Sequence, residues 1–243
     1  MSPNKESDRL AFLGQLAAGL AHEIRTPLST LQANLQLLQE DFEEPRDDRE
    51  RRALQRLTLL LKETARLEEI LNDFLRFAAG HKLENRPTDL NRVIGEVLEF
   101  VTPEATQKKV RVLKSLGDMP KVSVDGNLFK QALLNLVMNA IQAMPNGGEL
   151  IVKTCKWRDF AQVDVIDTGT GMSAETAAKC FDVYYSTKKT GTGLGLPTAR
   201  RIVHEHDGTL TVTSEEGKGS CFTIRLPVNG GEEAVARTEA IPL

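Results

Sequence analysis

The sequence predicts a helical hairpin followed by an α/β domain built on a mixed sheet. Three observations predict it. Apolar residues recur every three or four positions from Leu10 to Phe42 and again from Leu54 to Ala78, the period of an amphipathic helix. A polar stretch, His81 to Pro87, then interrupts the pattern. Beyond it, short β-like runs are interspersed with three further helical patterns, without the strict alternation of a doubly wound parallel sheet.

Composition narrows the classes. The chain has 243 residues, which suggests one to two domains. Hydrophobic content of 40% and charged content of 27% suit an ordinary globular protein. A net charge of −3 offers no basic surface, so no nucleic-acid or phospholipid partner is expected. No apolar run reaches the length of a membrane span, so neither a membrane span nor a signal peptide is expected in this chain. Cys155, Cys180 and Cys221 have neither zinc-ligand spacing nor a redox pair, and reduced thiols in a cytoplasmic protein are expected. Aromatic content of 5% fits a Leu/Ala/Val core such as that of a helical bundle.

Residues 1–7 are polar and expected to fray. The first helix is expected over residues 8–44. Its stripe is Leu10, Leu13, Ala17, Leu20, Ile24, Leu28, Leu31, Leu35, Leu38 and Phe42. His22 falls between stripe positions, so its imidazole is expected at the edge of the stripe, within reach of solvent. Thr26, four residues on, shares that face. Pro27 removes a backbone donor, costs about 3 kcal/mol in a helix interior and is expected to kink or loosen the helix near His22. The acidic segment from Asp41 to Asp48, which contains Pro45, reads as a turn. The second helix follows to about Phe77, with Leu54, Leu57, Leu61, Ala65, Ile70 or Leu71, Phe74 and Ala78 as its stripe, and Gly80 as its stop. Two helices with one stripe each do not close a core alone. Either a second copy completes a four-helix bundle or the hairpin packs against the rest of its own chain, and the heptad-like regularity favours the homodimer.

A domain boundary belongs in the polar linker His81 to Pro87. Next comes a helix with Asp89 as N-cap and Leu90, Val93, Ile94, Val97, Leu98 and Val101 as its apolar face. Short strands are expected at Val110 to Leu113 and Lys121 to Val124, and a helix from Asn127 to Met144. Strands at Leu150 to Thr154 and Ala161 to Ile166 precede a Gly/Thr/Lys-rich loop that carries Phe181, Tyr184 and Tyr185. A helix from about Leu194 to Glu205 and strands at Leu210 to Thr213 and Cys221 to Leu226 close the domain. Residues 229–243 read as a disordered tail. The arrangement fits a mixed sheet with helices on one face.

Three constellations carry chemistry. Asn135 and Asn139 stand four apart on one helix and point the same way, among Leu133, Leu134, Leu136, Val137 and Ile141. Two amide oxygens on one face suit Mg²⁺, which takes oxygen ligands and also binds nucleotide phosphates; a pair of exposed asparagines is the plainer reading. Asp167-Thr-Gly169-Thr-Gly171 follows a strand. Its carboxylate could accept a hydrogen bond from an amine such as adenine N6, although many turns share the pattern. Gly191-Thr192-Gly193-Leu194-Gly195 precedes a helix whose N-terminus could cradle phosphate; alone it could be a flexible loop. It matches neither the Walker A pattern nor a dinucleotide fingerprint.

Taken in order, these constellations resemble those of the two-component sensor histidine kinases, over about residues 8–228. His22-Glu-Ile-Arg-Thr-Pro-Leu28 resembles the family's H-box, Asn135 to Asn139 its N-box and Asp167 to Gly171 its G1 box. Phe181 to Lys188 resembles the F-box, and Gly191 to Leu196 the G2 box. Gly14 to His22 and Ser186 to Lys189 are most similar to the nitrogen-regulation (NtrB-like) branch. The resemblance implies a homodimerising phosphotransfer hairpin at 8–80, a GHKL-type ATP-binding α/β sandwich at 86–228 and a tail at 229–243. It implies ATP and Mg²⁺ as cofactors. Asp167 would read adenine, with Gly169 and Gly171 shaping its turn, and Asn135 and Asn139 would hold Mg²⁺ on the triphosphate. Thr168 to Thr192 would form the ATP lid, its aromatic residues docking the lid to the body or to the helical domain. Gly191, Thr192, Gly193, Leu194 and Gly195 would line the phosphates, with Lys188 neutralising them.

In this pattern His22 attacks the γ-phosphate, Glu23 orients the ring, and the phosphoryl group passes to an aspartate on a response-regulator receiver domain. Thr26 would orient a water that dephosphorylates the regulator. Two departures stand out: Val183-Tyr184-Tyr185 replaces the usual Pro-Phe-Phe, and Gln142 stands where several branches carry a basic residue. No sensory domain is expected ahead of residue 8 in this chain, so it is expected to be either a fragment of a longer sensor, with an upstream sensor domain, or a kinase that takes its signal from a partner.

Overall fold

The computed structural model describes residues 24–42, 44–78, 83–188 and 191–228. The expected helix before residue 24, with His22 and Glu23, lies outside the described residues, as do Gly80 and the tail 229–243. Two compact units divide at His81 and Lys82.

The first unit is a helical hairpin. Helix α1 covers residues 24–40 and α2 covers Asp48–Ala78. The helices run antiparallel: Arg25 donates to the Asn72 side-chain oxygen at 3.0 Å, and Gln39 donates to the Thr58 hydroxyl at 3.2 Å. Leu28 is 6% exposed, and Leu54, Leu57, Leu61 and Ala65 are half-buried. α1 ends at residue 40, four residues earlier than expected. Glu40, Asp41 and Glu44 oppose the negative end of the helix dipole, and Pro45 steers Glu44 away from helical geometry. α2 starts cleanly because the Asp47 carboxylate accepts the N–H groups of Arg49 and Glu50, both at 2.8 Å.

The second unit contains β1 (Arg86–Thr88), α3 (Leu90–Gln107), β2 (Val110–Leu116), β3 (Val122–Val124) and α4 (Gly126–Gln142). It continues with β4 (Gly148–Trp157), β5 (Phe160–Asp167), α5 (Ala174–Lys179), α6 (Gly195–Glu205), β6 (Thr209–Glu215) and β7 (Gly219–Pro227). The main sheet has the order β2-β4-β5-β7-β6, with β2 and β4 parallel and the other pairs antiparallel. The register lines up Val152, Val165, Phe222 and Val212 across four strands, so one sheet face is apolar. Ile94 and Val97 of α3, Leu133, Leu136 and Ile141 of α4, and Ile202 of α6 share one buried core with that face. Residues between them along β5 stay half-exposed, the alternation of a sheet covered on one side.

Several expectations need correction. The linker's last residues, Arg86 and Pro87, belong to β1, which pairs antiparallel with β3. β4 extends to Trp157, where its ring meets Phe160 at 6.2 Å and the Arg225 guanidinium lies 4.2 Å from the ring centre. α4 ends at Gln142, two residues early, because Pro145 excludes Met144 from helical geometry and Gly147 takes φ +89°. The long loop after β5 contains a helix, α5, capped by the Ser173 hydroxyl on the Thr176 N–H.

Candidate active site

Helix α4 supplies the floor of the site. Asn135, Asn139 and Ala143 stand four apart and share one face. The Asn135 amide donates to the Gly195 carbonyl at 3.1 Å, which binds α4 to the first residue of α6. The Ala143 carbonyl accepts the Thr170 N–H at 3.1 Å, which binds the C-terminus of α4 to the turn after β5. Asn139 lies between these two anchor points.

The turn after β5 is shaped by Asp167 and two glycines. Asp167 is 2% exposed, and its Oδ1 accepts the Gly169 N–H at 2.9 Å. A Cβ on Gly169 would come within 2.5 Å of the Ala143 carbonyl oxygen, so only glycine lets the turn press against α4. Gly171 has φ +63° and would collide with the Glu215 carbonyl if it carried a side chain. Gly217 donates to the Thr170 carbonyl at 2.7 Å, and the Ser214 hydroxyl accepts the Met172 N–H at 2.8 Å, so the turn between β6 and β7 braces it from the other side.

The third element is the entry to α6. Gly193, at φ +68°, backs onto Tyr184, whose N–H donates to the Gly193 carbonyl at 3.1 Å. Leu194 is buried, and its carbonyl accepts both the N–H and the hydroxyl of Thr198 at 2.9 and 2.7 Å. The N-cap position of α6 is Leu194, whose side chain carries no oxygen to cap with, and Pro197 sits in the first turn, where its missing N–H costs nothing.

The structure therefore brings Asn135, Asn139, Asp167, Gly169, Gly171, Gly193, Leu194 and Gly195 around one end of α4 and α6. Lys188, Gly191 and Thr192 fall in the first compact unit, where Gly191 donates to the Lys188 carbonyl at 3.2 Å. Thr26 is exposed on α1, and its carbonyl accepts the Thr30 hydroxyl at 3.0 Å.

Sequence reasoning missed the residues that act through the backbone or the core. The Ala143 carbonyl has no sequence signature. Of the two dockings expected for the lid's aromatic residues, to the body or to the helical domain, Phe181 makes the first: it meets Phe222 edge-on at 6.3 Å and carries the Arg200 guanidinium 5.2 Å from its ring centre. It anchors the base of the lid in the body. Burial pushes the Cys180 thiol up to about 11, against the pull of Arg200, and burial also raises Cys221. Neither thiol is set up as a nucleophile.

The donor set fits a Mg²⁺ ion shared with phosphates. Because Gly195 presents a carbonyl oxygen, the Asn135 atom facing it is the NH₂ group, which leaves the Asn135 side-chain oxygen on the other side of the amide. Among the described residues no cluster of His, Cys, Asp or Glu could hold a metal by itself. Mg²⁺ commonly takes one or two protein oxygens and completes its shell with phosphates and water.

Comparisons with known proteins find matches to both parts of the chain. A family model described as Histidine kinase-, DNA gyrase B-, and HSP90-like ATPase matches residues 124–230, and the His Kinase A (phospho-acceptor) domain matches residues 12–81. The chain is 37% identical to the sensor histidine kinase ZraS of Escherichia coli (strain K12), covering 93% of this chain and 48% of ZraS. It is 33% identical to sporulation kinase C of Bacillus subtilis (strain 168), covering 92% of this chain and 51% of that kinase. It thus spans about half the length of these relatives. Among solved structures, full-length ShkA in complex with AMPPNP matches 88% of this chain and 45% of its own, at 26% identity and a TM-score of 0.71. The histidine kinase ThkA in complex with the response regulator protein TrrA matches 93% of this chain and 65% of its own, at 26% identity and a TM-score of 0.66.

Proposed function

The chain belongs to the sensor histidine kinases, with a phospho-acceptor domain ahead of the ATPase domain, and on that premise we propose that it phosphorylates itself on His22 from ATP and passes the phosphoryl group to an aspartate of a response regulator. The observation that carries the proposal is the shared face of α4. Asn135 and Asn139 lie there between the turn of Asp167 and the start of α6, so adenine, metal and phosphate would each meet suitable chemistry along one surface.

Each residue has a role in this reading. The buried Asp167 carboxylate receives the adenine amine. Asn135 and Asn139 would hold Mg²⁺ through their side-chain oxygens, and that ion would supply positive charge to the triphosphate. Gly193, Leu194 and Gly195 bring backbone N–H groups and the positive end of α6 to the phosphates; Gly191, Thr192 and Lys188 are read as further phosphate-binding residues of the family pattern. Neutral His22 is the nucleophile, with Glu23 holding its other ring nitrogen. Thr26 serves the reverse task, orienting water against the phosphorylated regulator. The phosphotransfer domain is assigned to 8–80 and the catalytic domain to 86–228. Within the family, the wording of Gly14 to His22 and Ser186 to Lys189 favours the nitrogen-regulation branch.

A homodimer completes the assembly. In the single chain Ile24, Leu31 and Leu38 are 49%, 56% and 46% exposed, spaced by seven residues along α1. Leu60 and Leu67 repeat that spacing and exposure on α2. A second copy buries this surplus stripe as a four-helix bundle.

The test is incubation with γ-labelled ATP and Mg²⁺ beside a His22→Gln control. An acid-labile, alkali-stable label that vanishes in the control is expected. Nucleotide binding without any label would point instead to a scaffold that binds ATP and a regulator but transfers nothing.

A further inference from the structure

Asp125 stands at a junction outside the motifs. Its carboxylate caps α4 by accepting the N–H groups of Asn127 and Leu128 at 3.0 and 3.2 Å. The same carboxylate accepts the Glu84 N–H at 3.2 Å, from the segment that leads into β1. The next register position, Val124, pairs with Arg86 of β1. The Asp125 backbone N–H donates to His206 Nε2 at 2.9 Å.

His206 is buried and forms the C-cap of α6. Because Nε2 accepts from an amide, it carries the lone pair, and Nδ1–H donates to the Ile202 carbonyl at 2.7 Å. The ring is thus held in one neutral tautomer.

The two helices that build the site are bound at both ends of α6. Asn135 meets Gly195 where α6 begins, and Asp125 meets His206 where it ends. Antiparallel helices joined at two levels keep a fixed relative angle, whereas one joint allows a pivot. The free end of such a pivot would misplace the helix start that faces the phosphates.

We propose that Asp125 and His206 are positioning residues of the nucleotide site, and that their hydrogen bond makes the site responsive to the segment entering at Glu84. Neither residue touches the nucleotide. The proposal rests on the reading that α4 and the start of α6 hold Mg-ATP.

The experiment measures Mg-ATP affinity by calorimetry on the full chain and four variants. His206→Leu removes the acceptor and leaves the half-buried Asp125 amide without that partner; an affinity loss of about tenfold is expected. In His206→Gln the side-chain oxygen can take that amide, and affinity within about threefold of wild type is expected. Glu84→Pro deletes the Glu84 donor and is expected to weaken binding about threefold in the wild-type background. It should add nothing in His206→Leu, where the joint is already broken. A merely structural role would lower the melting temperature, leave the affinity of the folded chain unchanged and show no rescue by glutamine. Unchanged affinity in His206→Leu overturns the positioning role, and additive losses in the double variant overturn the coupling to Glu84. Should His206→Leu not fold, Glu84→Pro decides alone, and unchanged affinity there overturns the proposal. No nucleotide binding by wild type would overturn the functional reading together with this one; normal wild-type binding with unaltered variants overturns only this one.

Discussion

Asn139 is given its proposed role by its place on a helix. It lies one turn from Asn135, which holds Gly195, and one turn from Ala143, which holds Thr170. Asn139→Ala is expected to lower Mg-ATP affinity at least about tenfold, the loss of one charge-assisted oxygen contact, while the dimer persists; calorimetry beside light scattering checks both. Asp125 offers a test by pH. Burial opposes its charge, but the N–H groups of Leu128, Glu84 and Asn127 outweigh that cost and hold the carboxyl below its ordinary value of 3.8. A carboxyl depressed in the folded state stabilises above its unfolded pKa, and that contribution fades as pH falls through the lower folded value. The stability gap between wild type and Asp125→Asn should therefore be full above about pH 4 and shrink in stronger acid, as denaturant titrations at each pH would show. Among the thiols, Cys155 is exposed, whereas Cys180 is buried and held up to about 11 and Cys221 is half-buried and also raised. A thiol reagent at neutral pH should modify Cys155 first and Cys180 last, by mass mapping of the modified chain.

At the scale of elements, the hairpin carries more apolar surface than one copy can bury. Leu28 faces inward, while Ile24, Leu31 and Leu38 remain open to solvent on the same helix. Leu31→Glu combined with Leu67→Glu should convert the dimer to monomer by sedimentation, without loss of nucleotide binding by the second unit. A dimer that survives both charges would place the interface elsewhere. The strands and helices of the second unit were largely legible, because Asp89, Val93, Ile94, Val97 and Leu98 announce α3 and the alternation in β5 announces a one-sided strand. α5 was not legible. Its six residues carry no apolar stripe and no buried side chain, and only the Ser173 cap on Thr176 marks it. β1 was equally hidden, since three residues with a proline make a strand only when β3 arrives to pair with them.

At the scale of the whole molecule, the proposed phospho-acceptor and the Asn135, Asn139 and Asp167 face proposed for nucleotide belong to different units of one chain. Substitutions in one unit should therefore separate the activities. Thr26→Ala is expected to leave self-phosphorylation intact and to lower dephosphorylation of the phosphorylated regulator several-fold, about 1–2 kcal/mol of barrier; unchanged release of phosphate would remove Thr26 from that step. By itself the sequence determined the two-unit plan, the N-box pair on one helix face, and the order of the glycine turns, because periodicity and spacing are local properties of the chain. Only the tertiary structure decided what those motifs lean on. The Ala143 carbonyl, the Phe181–Phe222 contact and the bond between Asp125 and His206 join residues far apart in sequence. Such contacts arise from packing one sheet face against α3, α4 and α6, and a backbone carbonyl or a buried ring leaves no mark in a pattern of residue types.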